Sequence, residues 1–132
     1  MPPRFSPREW IDPPKAFSDS RLTGRWLEPS THDEAVEVLT ARYLSEIARE
    51  IDRSLRERGW RRKHLAESIG EDPNVVRRKL NGEYPASLED IVRWTIALDH
   101  VEVIFAPGSV SELFPPSQEG HLRRLLGQAD PA

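Results

Sequence analysis

Between residues 65 and 82 the chain reads LAESIGEDPNVVRRKLNG, which spells two short helices joined by a tight turn. Leu65 and Ala66 set a large and a small apolar side chain together, and Ile69 repeats the apolar face four residues after Leu65. Gly70 then stops the helix at a position where positive φ is tolerated. Pro73 suits the first turn of a second helix, because its missing N–H would lack a helical partner there, and Asp72 before it is a good N-cap. In that register Val76 and Leu80 face inward, while Asn74, Arg77, Arg78 and Lys79 are left for the outside. Asn81 and Gly82 close the second helix with a dipeptide suited to left-handed backbone. A short cationic helix held this way against another is a form suited to reading DNA.

Charge distribution supports that expectation although the chain of 132 residues carries a formal net charge of −3. From Arg53 to Leu80 there are nine basic residues against four acidic ones, a local net of +5. Acidic residues gather elsewhere, at Asp33, Glu34 and Glu37 and again at Glu83, Glu89 and Asp90. One basic face on an otherwise acidic body is the pattern of a protein that docks on phosphates in one orientation.

Residues 1–30 hold six prolines with Phe5, Trp10, Phe17 and Trp26 and show no helical period. They form an arm with two readings: a disordered leader, or a segment whose aromatics pack onto the domain or a partner. From Asp33 a long amphipathic helix begins, with Val36, Leu39, Tyr43, Ile47, Ile51 and Leu55 at spacings of three and four. Thr31 can cap it and Gly59 ends it. At about 26 residues it would be roughly 39 Å long, more than a small core covers, so its first half needs another packing partner. Trp60 leads into the helix pair, and Ser87 with Asp90 forms a capping-box variant for a fourth helix that carries Leu88, Ile91, Val92, Thr95 and Leu98 inward. Residues 101–105 (VEVIF) then switch to a period of two, the mark of a short strand that needs a partner in this chain or a second copy. The expected architecture is mainly α: four to five helices with a long first helix and a short C-terminal strand. Its divisions are a proline-rich arm (1–30), a helical domain (31–100) and a strand-plus-tail region for dimerisation (101–132).

The stretch from Gly59 to Asp99, about a third of the chain, resembles the phage-repressor and Cro-like helix-turn-helix family, often called the XRE family. The positions that carry the resemblance are Gly59, Trp60, the polar turn from Arg61 to His64, Leu65-Ala66, Gly70, the helix from Val75 to Leu80, Asn81-Gly82, Ser87-Leu88 and Ala97-Leu98. Arg61 and Arg62 depart from the family's usual Ser or Thr followed by Gln, and Glu71 replaces an apolar residue. Cations at a helix N-terminus are disfavoured by the dipole, a cost that a nearby phosphate offsets.

The resemblance implies that the second helix of the pair enters the major groove by its N-terminal residues. Asn74 would then pair with adenine, Arg77 or Arg78 with the O6/N7 edge of guanine, and Val75 would meet a thymine methyl. Arg61, Arg62, Lys63, His64 and Lys79 become phosphate contacts, with Asn81 and Tyr84 in the following loop placed to touch the same strand. Packing is an equal reading for Tyr84. The family likeness implies a homodimeric, sequence-specific regulator, most simply a transcriptional repressor on a palindromic operator in double-stranded DNA. An antitoxin that represses its own operon while the arm or tail holds a toxin is the alternative, and an interaction protein that does not use DNA is a second. Dimer contacts are expected from the strand, the long helix, or both.

Catalysis is not expected: there is no cysteine, His32, His64, His100 and His121 lack metal-ligand spacing, and no Gly-rich phosphate loop occurs. Neither cofactor nor metal is anticipated. The chain shows no apolar run of membrane-spanning length and no secretory leader, so a cytoplasmic location is expected.

Overall fold

The computed structural model describes residues 5–19 and 21–98, together with His121, Arg124 and Leu125. The expected strand at 101–105 lies outside the described residues. The described chain is mainly helical, with α1 (His32–Arg58), α2 (Arg62–Ile69), α3 (Pro73–Leu80) and α4 (Leu88–Ala97). Ahead of them, β1 (Ile11–Asp12) pairs antiparallel with β2 (Arg25–Trp26), Ile11 opposite Trp26 and Asp12 opposite Arg25. Two 3-10 turns, Pro7–Trp10 and Pro14–Ala16, flank β1. Among the described residues no helix is long and apolar enough to cross a membrane.

Helix boundaries follow local chemistry. Thr31 Oγ1 accepts from the Glu34 N–H at 3.1 Å to start α1. Gly59 and Gly70, each at φ +69°, end α1 and α2 in the left-handed conformation. Asp72 caps α3 through the Asn74 N–H at 2.8 Å, with Pro73 in the first turn. Ser87 and Asp90 close a reciprocal box at α4: Ser87 Oγ accepts from the Asp90 N–H at 3.1 Å and the Asp90 carboxylate from the Ser87 N–H at 2.8 Å. At α2 only half of such a box exists. His64 Nδ1 accepts from the Arg61 N–H at 2.8 Å, and a guanidinium has no acceptor to return the bond.

The principal core joins Ile47, Ile51 and Leu55 of α1 to Leu65 and Ala66 of α2, Val76 and Leu80 of α3, and Ile91, Trp94 and Leu98 of α4. Ile11, Ala16 and Phe17 belong to the same cluster. The aromatic arm is therefore folded onto its own domain. Trp10 and Trp26 also cover the first half of α1, packing with Leu39 and Leu125 around Ala35 and Val38. That cover answers the excess length of α1.

Two expected registers are corrected. In the first half of α1 the buried face runs through Ala35, Val38, Ala41, Arg42 and Ser45, and Val36 is 44% exposed. The covering indoles are bulky, so small residues occupy the contact and the apolar letters of the sequence mark its edge. On α4, Leu88 is 70% exposed and Val92 only partly buried, because Ile91, Trp94, Thr95 and Leu98 define the inward stripe. Arg42 is buried beneath Trp26, with its guanidinium carbon 5.7 Å from the ring centroid. Burial pushes its pKa down to about 10.

Candidate nucleic-acid interface

Three residues, 70–72, separate α2 from α3, and the inward faces of both helices close on the core. The exposed residues of α3 are Pro73, Asn74, Arg77 and Arg78, with Val75 partly buried between them. At the start of α2, Arg61 and Lys63 are exposed. Among the described residues Arg61, Lys63 and Arg77 make no ion pair. Uncommitted cations keep their donors available for a polyanion, since no carboxylate has to be displaced first.

Three of the expected phosphate contacts, Arg62, Lys79 and Asn81, are held by the protein itself. Arg62 donates from Nε and Nη2 to the two Asp52 carboxylate oxygens at 3.0 and 2.7 Å, and from Nη1 to Asn81 Oδ1 at 2.6 Å. The planar fork thus ties α1, the first turn of α2 and the C-cap of α3 in one arrangement, occupying Asn81 as well. Lys79 Nζ lies 2.9 Å from Asp90 Oδ1 and 3.1 Å from Glu71 Oε1, with 19% of its side chain exposed. Desolvation alone would lower the Lys79 pKa, but the bonds to Asp90 and Glu71 outweigh it and hold the ammonium above its ordinary value. Glu71 therefore earns its place as an anchor for α3 rather than as a core residue.

His64 is partly buried beside Trp60, ring centroids 6.3 Å apart. Because its Nδ1 accepts from Arg61, the neutral ring carries its proton on Nε2. Arg78 spans both environments: its guanidinium carbon sits 5.9 Å from the Tyr84 ring centroid while the side chain stays exposed. Tyr84 thus forms a shelf for Arg78.

Sequence reading missed the residues that brace the far end of α3. Ser18 Oγ donates to the Leu80 carbonyl at 3.0 Å, and Ser45 Oγ accepts from the Ser18 N–H at 3.0 Å. Ser18 holds φ +58°, a costly conformation for serine that these two bonds stabilise. The Arg8 N–H donates to the Gly82 carbonyl at 2.9 Å, and Arg8 pairs with Glu83 at 3.6 Å. Gly82, at φ +78°, lets Phe17 approach so closely that a Cβ would stand 2.6 Å from the ring. The arm is a brace on α3. Its signals in the sequence were the arm's aromatics, one reading of which packs them onto the domain, and Gly82, which stands 65 residues from Phe17.

Among the described residues no group of three or more His, Cys, Asp or Glu side chains could hold a metal ion. Comparisons with protein-family models, curated proteins and solved structures found no match for the chain.

Proposed function

We propose that the chain is a sequence-specific DNA-binding regulator of transcription, a repressor acting as a homodimer, with α2 and α3 as a helix-turn-helix. The observation that carries this reading is the division of labour on the pair. Leu65, Ala66, Val76 and Leu80 are buried, while Asn74, Arg77 and Arg78 stand exposed on α3 and Arg61 and Lys63 at the start of α2. Asn74 is the adenine reader and Arg77 the guanine reader, with Arg78 beside it and Val75 offering a methyl contact. Arg61 and Lys63 grip the backbone, and the Nε2–H of His64 is a further donor to it.

Arg62, Lys79 and Asn81 serve the reading indirectly in this proposal. They fix where α2 and α3 stand relative to each other. Two copies supply the affinity that one small head lacks, and paired heads predict half-sites about one DNA turn apart. Ile11, Ala16 and Phe17 of the arm are committed to the core of their own chain, which supports plain repression ahead of a toxin partner held by those residues.

Gel-shift titration on the DNA upstream of the protein's own gene, at two salt concentrations, tests the reading. A discrete complex that weakens with salt supports it. No complex at low salt with that DNA or with unrelated duplex overturns it.

A further inference from the structure

A hollow of about 450 Å³ opens between the arm and the second half of α1. Lys15 and Arg21 of the arm, Asp52 and Arg56 of α1, Arg62 of α2 and Asn81 line it. Its volume falls within the range of small-molecule sites. Four cations face two carboxylates, and both carboxylates are already matched. Asp52 takes the fork of Arg62, and Asp19 takes Arg21 at 3.1 and 3.2 Å. Lys15 and Arg56 remain, exposed and without an ion pair among the described residues.

Two adjoining hollows differ in charge. The smaller, of about 300 Å³, shares Asp52 and Arg56 but adds Glu46, Arg49, Glu50 and Arg53, so three cations there meet three carboxylates. Of these two, the larger carries an excess of two positive charges. Its uncommitted donors come from separate elements, Lys15 on the arm and Arg56 on α1, and Arg62 on α2 retains N–H groups beyond those bound to Asp52 and Asn81. Donors carried by three separate elements suit a tetrahedral dianion, whose several oxygens point in different directions. A planar carboxylate offers two oxygens in one plane. The hollow also far exceeds a phosphate group in size, leaving room for an organic portion over Phe17 and Ser18.

We infer that this hollow binds a small phosphorylated molecule, with Lys15 and Arg56 as its principal charge partners and Arg62 as a third donor. The site is separate from the exposed face of α3, and its existence does not depend on DNA recognition. It does touch the brace: Ser18 holds the end of α3 and Arg62 holds its cap residue. Free phosphomonoesters and inorganic phosphate share the chemistry the site recognises.

Amide NMR titration of the full chain with inorganic phosphate and with phosphoserine, at constant ionic strength, tests the inference without DNA. Saturable shifts centred on Ser18, Arg56, Arg62 and Asn81 are expected, with phosphoserine the tighter of the two. Lys15→Ala or Arg56→Ala should weaken binding at least tenfold, and Arg93→Ala, exposed on α4, should leave it unchanged. Both lining positions are exposed, so the variants keep the fold, which the undisturbed amide spectrum verifies. Shifts that never saturate, or that persist unaltered in both variants, would overturn the assignment.

Discussion

The ring of Phe17 lies so close to Gly82 that a Cβ on the glycine would come within 2.6 Å of Phe17 Cδ1. Gly82 also holds φ +78°, so two independent penalties meet any larger residue. Gly82→Ala should cost about 2 kcal/mol or more, from left-handed backbone strain plus displacement of the ring. Phe17→Ala alone should cost about 3–5 kcal/mol as a core truncation. In the double variant the clash disappears but the backbone strain stays, so the two losses should fall short of additive by about 1 kcal/mol in urea denaturation. Strict additivity would mean that Phe17 and Gly82 do not share this contact.

Asp90 couples folding to acid. Burial raises its pKa, but the Ser87 N–H and the Lys79 ammonium more than reverse that and hold it below its ordinary value of 3.8. A depressed carboxyl contributes stability that is present above its unfolded value and is lost as pH falls through the folded one. The affected window therefore lies below about pH 4. Asp90→Asn should cost about 1–3 kcal/mol at neutral pH and flatten this part of the acid profile. Urea melts at several acidic pH values check both, and an unchanged acid slope would contradict the pairing. Lys79 has the opposite sign: its raised pKa gives stability present below its unfolded value and lost as pH rises through the folded one.

Arg62 and Lys63 are neighbours with different work. Arg62→Ala removes the tie to Asp52 and Asn81 and should destabilise the fold by about 1–3 kcal/mol. Arg62→Lys should recover little, because a point ammonium cannot span a carboxylate and an amide as the planar fork does. Lys63→Ala should leave stability within about 0.5 kcal/mol and lower the salt slope of DNA binding by about one. Thermal unfolding alongside binding at several salt concentrations separates the two roles. Equal effects at both positions would contradict the assignment.

These contrasts mark where the sequence was readable. Gly59, Gly70, Asp72, Pro73 and the Ser87-Asp90 box are local signals, each acting within a few residues, and every helix boundary they imply is present to within a residue or two. Leu65, Ala66, Val76 and Leu80 were equally legible, because one helical period places them together. Arg62 and Lys79 were not. Their partners stand at Asp52, Asn81, Glu71 and Asp90, so outward and inward cations look alike until the helices are packed. The arm hid its role for the same reason. Phe17 and Ser18 have no helical period, and their contacts lie on α1 and at the end of α3. Val36 and Leu88 show the converse, apolar residues whose local period pointed inward although they stay exposed among the described residues.

Selection from a library of randomised DNA duplexes, with the wild-type chain and Arg77→Ala side by side, tests the assignment of α3 as a reading helix most directly. The wild type should enrich a nearly two-fold symmetric site with half-sites about one DNA turn apart. Arg77→Ala should lose preference for guanine at one position in each half-site, at a cost of about 1–3 kcal/mol there, while keeping the rest of the pattern. Failure of the wild type to enrich any sequence at low salt, or selection of the same site by Arg77→Ala, would contradict it.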